Sequence, residues 1–414
     1  MRIRRITAYI LLLSVYSVTY LIALIGRIIP HRRWKSSGRI MVTGTFHNPN
    51  WYLSHITPLA RSGVKEVILI VDEPQIPIEK VRFVCPPKWI SVLLTRAGAK
   101  AVWMLLAGLR YKPDLYMGYH LAPGACSALI AGKILGRPSC YQMTGGPVEI
   151  IGGGIDAIES VGGALGRPSK LIERLAVKVA RQFDLVVVRG NKAREFFAEK
   201  NIKETVVVIT GSVNGTLQPV QSNRDIHLIF VGRLSPIKQV NQFIEIVAAV
   251  ARIIPDIKTA VVGDGPLLSD MKKYATELGL NSNIEFLGKK KDIDGILASS
   301  KIFILTSKSE GLSIAMAEAM TTGVVPVVAD VGELGELVND SVNGYLIEKN
   351  NIGQYTKKVV SLLQNNTLWT QYSDRAIEAA KKQCSIEVIT EKWQHNLQNV
   401  VSKASGHFTQ DAQN

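Results

Sequence analysis

The chain has 414 residues, 47% hydrophobic and 20% charged, which excludes a disordered or repetitive polymer and leaves room for two globular domains. Four scattered cysteines, Cys85, Cys126, Cys140 and Cys384, form no CxxC pair and no cluster with histidine, so neither a zinc site nor a disulfide framework is expected. The net charge of +15 is one-sided: residues 1–220 hold 29 Lys and Arg against 13 Asp and Glu, and residues 221–414 hold 20 against 21, with no nucleic-acid-binding signature to go with it.

The first element is an apolar run, "ITAYILLLSVYSVTYLIALIG" (6–26), without a charge. At 1.5 Å per residue it spans about 31 Å as a helix, the thickness of a bilayer core. Arg27, Arg32, Arg33, Lys35 and Arg39 follow it, and no small-residue cleavage site does, so a removed signal peptide is not expected. Five basic residues downstream against three upstream favour a single-pass anchor with the body on the cytoplasmic side. The competing reading is a hydrophobic helix buried against the first domain.

Short runs rich in Val and Ile then alternate with longer helical patterns. Strands are predicted at 39–46, 67–72, 114–120, 139–145, 184–190 and 205–211, then at 226–232, 259–263, 284–288, 302–307, 324–330 and 344–348. Helices are predicted at 240–254, 266–279 and 351–365. Continuous apolar strands with intervening helices imply parallel sheets covered on both faces, hence an α/β chain of two doubly wound domains. The expected division is an anchor at 1–36, a first domain at 37–215, a second at 216–385 and a C-terminal helix and tail at 386–414 packing back on the first. The polar stretch 214–225 reads as the linker. In such sheets ligands bind beyond the carboxyl ends of the strands, which places the expected site in a cleft between the domains.

Within the first domain, residues 88–112 mix Trp89, Trp103 and leucines with Lys88, Arg96 and Lys100. Lys170, Arg174, Lys178 and Arg181 recur at helical spacing as a basic stripe. Together with the anchor they suggest a domain lying on an anionic membrane surface, although solvated helix faces give the same pattern. Residues 145–166 hold eight glycines, a density that suits a mobile lid or an irregular surface loop.

Four strand-to-helix turns in the second domain carry chemistry. "FVGRLSPIKQV" (230–240) supplies Gly232, Arg233 and Lys238, a pair of cations suited to a diphosphate near a helix N-terminus. "VVGDGPL" (261–267) supplies Gly263 and Gly265, which would let a ring or sugar approach main chain. "FILTSKSEGLSIAMAEAM" (303–320) contains Glu310 and Glu318, and "VVADVGELGEL" (327–337) is the fourth turn. On one continuous helix the two glutamates would lie about 80° apart in azimuth and about 12 Å apart along the axis, so they do not pair on one point. A long ligand could touch both.

Taken in order, "VGRLSPIK", "VVGDGP", "FLG", "EGLSIAMAE", "AMTTGVVPVVADVGELGELV" and "NGYLI" resemble the donor half of family 4 retaining glycosyltransferases, closely over 224–365 and more loosely over 38–220. The resemblance implies the GT-B architecture of two facing Rossmann-like domains. It implies that Arg233 and Lys238 hold a nucleotide diphosphate, Glu310 the donor sugar and Glu318 the ribose, with the amides of Gly311 and Leu312 near sugar and phosphates. A nucleotide diphosphate sugar is then the donor substrate, with no cofactor. Fixed cations at a helix N-terminus would stabilise the departing diphosphate without a metal. Asp292-Ile293-Asp294 matches a metal-binding DxD, but its position before a predicted helix suits capping. The first domain departs from the family: Thr144, before Gly145, stands where many members have a histidine. His120 occupies the place of a structural histidine of the family and is a second candidate on the sugar or acceptor side. The family's glycine-rich loop near the chain start has one candidate here, residues 44–51. The expected activity is retaining transfer to a lipid-linked or surface-glycan acceptor. A soluble acceptor, and a catalytically silent nucleotide-sugar-binding scaffold, are the alternatives.

Overall fold

The structure, a computed structural model, describes residues 2–30, 37–46, 48–157, 161–213 and 224–404. The basic flank at Arg32, Arg33 and Lys35, His47 and most of the expected linker lie outside them. The chain divides into two compact units, Met1–Gly211 with Ile389–Asn414, and Ser212–Val388.

Seven strands form the first unit's sheet: β1 (Arg39–Thr43), β2 (Glu66–Ile70), β3 (Val81–Val84), β4 (Leu115–Tyr119), β5 (Ser139–Gln142), β6 (Leu185–Val188) and β7 (Val206–Val208). Their order is β3-β2-β1-β4-β5-β6-β7, and every pairing is parallel. The second unit's strands are β8 (Ile226–Val231), β9 (Thr259–Val262), β10 (Ile284–Gly288), β11 (Ser300–Leu305), β12 (Val325–Ala329) and β13 (Tyr345–Ile347). They are ordered β10-β9-β8-β11-β12-β13, again all parallel. β1, β2, β4, β11 and β12 are buried almost throughout, as sheets covered by helices on both faces require. Both orders are doubly wound and reverse once, between β1 and β4 and between β8 and β11. Each of the twelve predicted strands is present. β3 was not predicted, because Val81–Val84 is a short, partly exposed edge strand between proline-rich flanks.

The N-terminal helix, Arg2–Ile25, is docked on the first unit along much of its length. Ala8, Leu12, Tyr16 and Ala23 recur at helical spacing and are buried in one core with Leu121, Leu129, Ile172 and Val179. Beyond its end, Gly26 lies so close to Lys133 that an added Cβ would come within 2.6 Å of the lysine Cβ. The opposite row, with Ile3, Ile6, Ile10, Val18, Leu21 and Ile25, is exposed. One face of the apolar run is therefore core, as the competing reading of a helix buried against the first domain expects, and the other face is exposed. On the helix Lys88–Tyr111, Trp89, Val92, Leu93 and Leu94 are also exposed. Lys170, Arg174, Lys178 and Arg181 all face solvent, with Lys178 over the Tyr20 ring. Ile389, Trp393 and Leu397 of the last helix, Ile386–Ala404, are buried with Val42, Leu69 and Met117 of the first unit.

The described part of the glycine-rich segment, expected as a mobile lid or an irregular surface loop, is a partly buried run of turns. It folds into short 3-10 turns at Pro147–Glu149, Ile151–Gly153 and Gly162–Leu165. Gly162 serves close main-chain approach: a Cβ there would meet the carbonyl oxygens of Gly154 and Gly153 at 2.5 and 2.7 Å. Residues 158–160 lie outside the description.

Candidate active site

In the second unit the site forms where the strand order reverses, the position at which open α/β sheets bind ligands. β8 runs into Gly232 and Arg233, buried Leu234 anchors the loop, and Pro236 opens a 3-10 turn ending at Lys238. The loop after the neighbouring strand β11 is stitched to that turn. Thr306 Oγ1 donates to the carbonyls of Lys238 and Gln239 at 3.1 and 3.0 Å, and Lys308 N to that of Ile237 at 2.8 Å. The Lys238 ammonium donates to Glu310 Oε1, and Ser307 Oγ donates to the same oxygen at 2.6 Å. These two charged side chains are 21% and 10% exposed, so their attraction is little screened and each fixes the other. Arg233 is exposed on the same turn.

The loop after β12 closes the far side. Gly332 has φ +51°, and a Cβ there would fall 1.7 Å from the carbonyl oxygen of Glu310. Glu333 N donates to Gly311 O at 3.3 Å. Gly311 and Leu312 are partly exposed main chain ahead of Ser313, which caps the helix Ile314–Thr321 by accepting from Met316 N. Glu318 is half-buried within that helix. The two glutamates therefore sit on different elements, one on a loop and one on the helix it enters. Ser307 and Gly332 lay inside quoted motifs and were not singled out.

Gly263 and Gly265 stand at the end of β9, where the space a side chain would need is filled by protein. An added Cβ would lie 1.9 Å from Gly232 O and 2.4 Å from Leu234 O, respectively. They hold the β9 turn against the β8 turn, an arrangement that Leu234 N completes by donating to Asp264 O at 2.9 Å. Asp292 accepts from Asp294 N at 3.0 Å just ahead of the short helix Asp294–Ala298, which is a turn-forming role.

In the first unit, three residues singled out from sequence meet at the carboxyl ends of β4 and β5. His120 ends β4 with φ +58° and ψ 145°, backbone that non-glycine residues adopt at a cost of about 1–3 kcal/mol. Its ring lies 3.1 Å (Nδ1) and 3.3 Å (Nε2) from Thr144 Oγ1, and Thr144 precedes Gly145. The centre of this cluster is a residue that sequence reading passed over, Glu149. Its carboxylate accepts from Gly145 N at 2.6 Å, Thr144 N at 2.9 Å and Tyr141 Oη at 2.8 Å, and Nδ1 of His120 is 3.1 Å away. Burial alone would raise the Glu149 pKa, but the His120 charge and these hydrogen bonds hold it below the ordinary carboxylate value. Burial pushes His120 down, and the Glu149 charge and hydrogen bond outweigh that and raise it. Arg189, buried at the end of β6, donates to Gln142 Oε1 at 3.2 Å and to Ile209 O at 2.7 Å and opposes protonation of His120. The one signal for Glu149 was a lone charge in "GGPVEIIGGG" (145–154). In the 44–51 loop candidate, Phe46 and Trp51 pack on Tyr119 in an aromatic cluster, and Asn48 caps the following helix.

Two all-parallel, doubly wound units, the second with cations and a carboxylate at its reversal point, define a GT-B fold. Anabaena Alr3699/HepE in complex with UDP-glucose shares it, with a TM-score of 0.69 over 87% of this chain and 100% of that one at 19% identity. Staphylococcus aureus TarM superposes with a TM-score of 0.60 over 72% of this chain and 58% of its own at 20% identity. Residues 218–383, nearly all of the second unit, match the model of the family glycosyl transferases group 1. The chain is 35% identical over 141 residues, 33% of its length and 36% of the other's, to the Escherichia coli UDP-Gal:alpha-D-GlcNAc-diphosphoundecaprenol alpha-1,3-galactosyltransferase. It is 26% identical over 226 residues, 54% of its length and 46% of the other's, to the poly(ribitol-phosphate) alpha-N-acetylglucosaminyltransferase of Staphylococcus aureus. The chain thus spans about a third to a half of the length of these curated relatives.

Proposed function

We propose that this protein is a membrane-associated glycosyltransferase that moves a sugar, with retention of configuration, from a nucleotide diphosphate sugar to a lipid-linked or surface-glycan acceptor. The observation that carries the reading is the Lys238–Glu310–Ser307 constellation at the reversal point of a group 1 unit. In this reading Lys238, an ammonium with three N–H donors, and Arg233 take the diphosphate, while Glu310 accepts from a donor-sugar hydroxyl. Gly311 and Leu312 offer main-chain amides just ahead of the helix that carries Glu318, which takes the ribose. Gly232, Gly263 and Gly265 keep the two turns in register beneath the nucleotide. As the sugar–phosphate bond breaks, negative charge grows on the diphosphate, and cations already fixed in place stabilise it without reorganising. His120, Thr144 and Gly145 are the sugar- or acceptor-side contacts of the first unit.

The acceptor class is supported by the names of the two relatives, which specify a diphosphoundecaprenol-linked sugar and a poly(ribitol-phosphate). Membrane attachment is supported by the exposed apolar row of the helix Arg2–Ile25 and the basic stripe at 170–181. The sequence-derived version is one crossing with a cytoplasmic body. The buried row Ala8–Leu12–Tyr16–Ala23 favours a second version, in which the helix keeps its contact with the first unit and lies in the interface with its outer row in lipid. Protease protection of an N-terminal tag in sealed vesicles separates them, since only a crossing helix shields the tag on the far side.

The deciding experiment incubates the full chain with a panel of nucleotide diphosphate sugars and membranes as acceptor, then determines the anomeric configuration of the product. Transfer with retention is expected. Absence of transfer from every donor, or an inverted product, overturns the reading.

A further inference from the structure

His120 and Glu149 meet by two unrelated devices. His120 is held in a backbone region that few side chains tolerate, which sets its ring at the carboxyl end of β4 with the side chain 47% exposed. Glu149 comes from the other direction, on the 3-10 turn Pro147–Glu149 after β5, with its side chain 7% exposed. Its two oxygens are engaged by five further donors, the amides of Thr144, Gly145 and Leu121 and the hydroxyls of Tyr141 and Thr144. Gly145 fits because it has no side chain, since a Cβ there would press to 3.2 Å from Glu149 Oε1. A carboxylate so thoroughly hydrogen-bonded is fixed in place, and the most exposed of its partners is an imidazole.

We propose that Glu149 is a positioning residue for glycosyl transfer: it grips Nδ1 of His120 so that the other ring nitrogen, Nε2, which lies 3.3 Å from Thr144 Oγ1, presents its N–H to an oxygen of the sugar substrate in exchange for that hydroxyl. The inference rests on the transferase reading and deepens it. It gives the glycine-rich segment a task, that of carrying the carboxylate which orients the histidine. It also accounts for threonine at position 144, because a hydroxyl there packs against the His120 ring, where a bulkier side chain would compete for the same space. The groups around the imidazole are Glu149, which favours its charged form, and Arg189 of β6 and buried His55 of the helix Pro49–Arg61, which lie in the same field. Tyr141 and Thr144 contribute hydroxyls. Removing the Glu149 charge leaves burial and Arg189 acting alone, so the ring becomes neutral across a wider range of pH.

The test combines NMR of the full chain carrying ¹⁵N-labelled histidine with transfer kinetics. The His120 signal is assigned by its loss in His120→Asn, and wild type, Glu149→Gln and Glu149→Asp are compared. In wild type the His120 midpoint should lie above that of an ordinary imidazole. Glu149→Gln, nearly the same shape without the charge, should lower it, and each unit of that drop reduces the charged fraction above the midpoint about tenfold. The basic limb of the kcat/KM profile should move down in step, with affinity for the free nucleotide diphosphate unchanged. Glu149→Asp should recover part of both effects. A midpoint unmoved in Glu149→Gln, or turnover of His120→Asn at the wild-type rate, overturns the proposal and leaves Glu149 a loop fastener only. Should Glu149→Gln fail to fold, the wild-type midpoint and the His120→Asn turnover decide. Where wild type itself transfers no sugar, the transferase reading fails, and the NMR comparison still reports the Glu149–His120 coupling.

Discussion

Replacing Gly332 by alanine probes the site without touching any group expected to contact substrate. The added Cβ would fall 1.7 Å from the carbonyl oxygen of Glu310, against the 3.0 Å below which such contacts essentially never occur. The obstacle is main chain, so no rotamer relieves it, and the loop at 310 and the turn at 332 must separate by about 1.3 Å. The φ of +51° adds a left-handed penalty for alanine of about 1–2 kcal/mol. A misplacement of about 1 Å at a reacting centre costs up to about 100-fold in rate. The expected result is a kcat reduced by roughly that factor and a lowered melting temperature, with the protein still folded by circular dichroism. Wild-type kcat in a folded Gly332→Ala protein would show that Glu310 is not held where the chemistry occurs, which refutes the site assignment.

Lys238→Ala removes the cation that fixes Glu310 and should cost about 10²–10³-fold in turnover, the range for loss of one charge-stabilising donor, and should lower the melting temperature because the little-exposed Glu310 carboxylate loses its counter-charge. Turnover in the donor panel should survive EDTA, because cations of the chain take the role a metal would have; loss restored by magnesium would return Asp292 and Asp294 to consideration. Leu12→Ala should destabilise the first unit by about 2–5 kcal/mol in urea melts, whereas Leu21→Glu should leave the melt unchanged and weaken flotation with anionic vesicles. Equal flotation of the Leu21 variant and wild type would shift membrane contact to the basic stripe. Stability should also follow the His120–Glu149 pair. Glu149, held low, contributes above its unfolded-state pKa and loses its contribution as pH falls through the folded value. His120, held high, contributes below its unfolded-state pKa and loses its contribution as pH rises through the folded value. The coupling energy of a Glu149→Gln/His120→Asn double-mutant cycle, from melts at several pH values, should therefore peak between the two folded pKa values.

The strands were readable because buried parallel strands are written as continuous runs of branched apolar residues, and "IFILTS" (302–307) or "DLVVVRG" (184–190) admits few other readings. β3 escaped because an edge strand need not be apolar: Arg82 faces out and pairs with Glu66 of β2. The split of Glu310 and Glu318 between a loop and a helix is made by Gly311 in the loop and Ser313 at the cap of the helix Ile314–Thr321. The role of the glycines was not legible. Gly263, Gly265, Gly162 and Gly332 give way to main chain that is distant in sequence, and composition alone cannot tell such packing from a mobile loop or an open ligand shelf. Glu149 was hidden for the same reason, because its partners come from β4, β5 and the loop between them and share no spacing.

Each unit, taken by itself, solves one problem in the same way. A carboxylate just beyond the sheet's carboxyl edge would be free to swing if it stood alone, and in each unit a cationic or protonatable side chain from a neighbouring strand end pins it. Glu310 follows β11 and is pinned by Lys238 after β8; Glu149 follows β5 and is pinned by His120 at the end of β4. The consequences differ because the partners differ. Lys238 and Glu310 form a little-exposed ion pair whose part is to hold the carboxylate in place. An imidazole titrates in the physiological range, so the strength of the His120–Glu149 pair is one that pH can set. A transferase built this way should show most of its pH dependence in the first unit and most of its nucleotide affinity in the second. Comparing the pH dependence of nucleotide binding with that of turnover tests this directly, because a strong imidazole-range dependence of nucleotide binding itself would break the division.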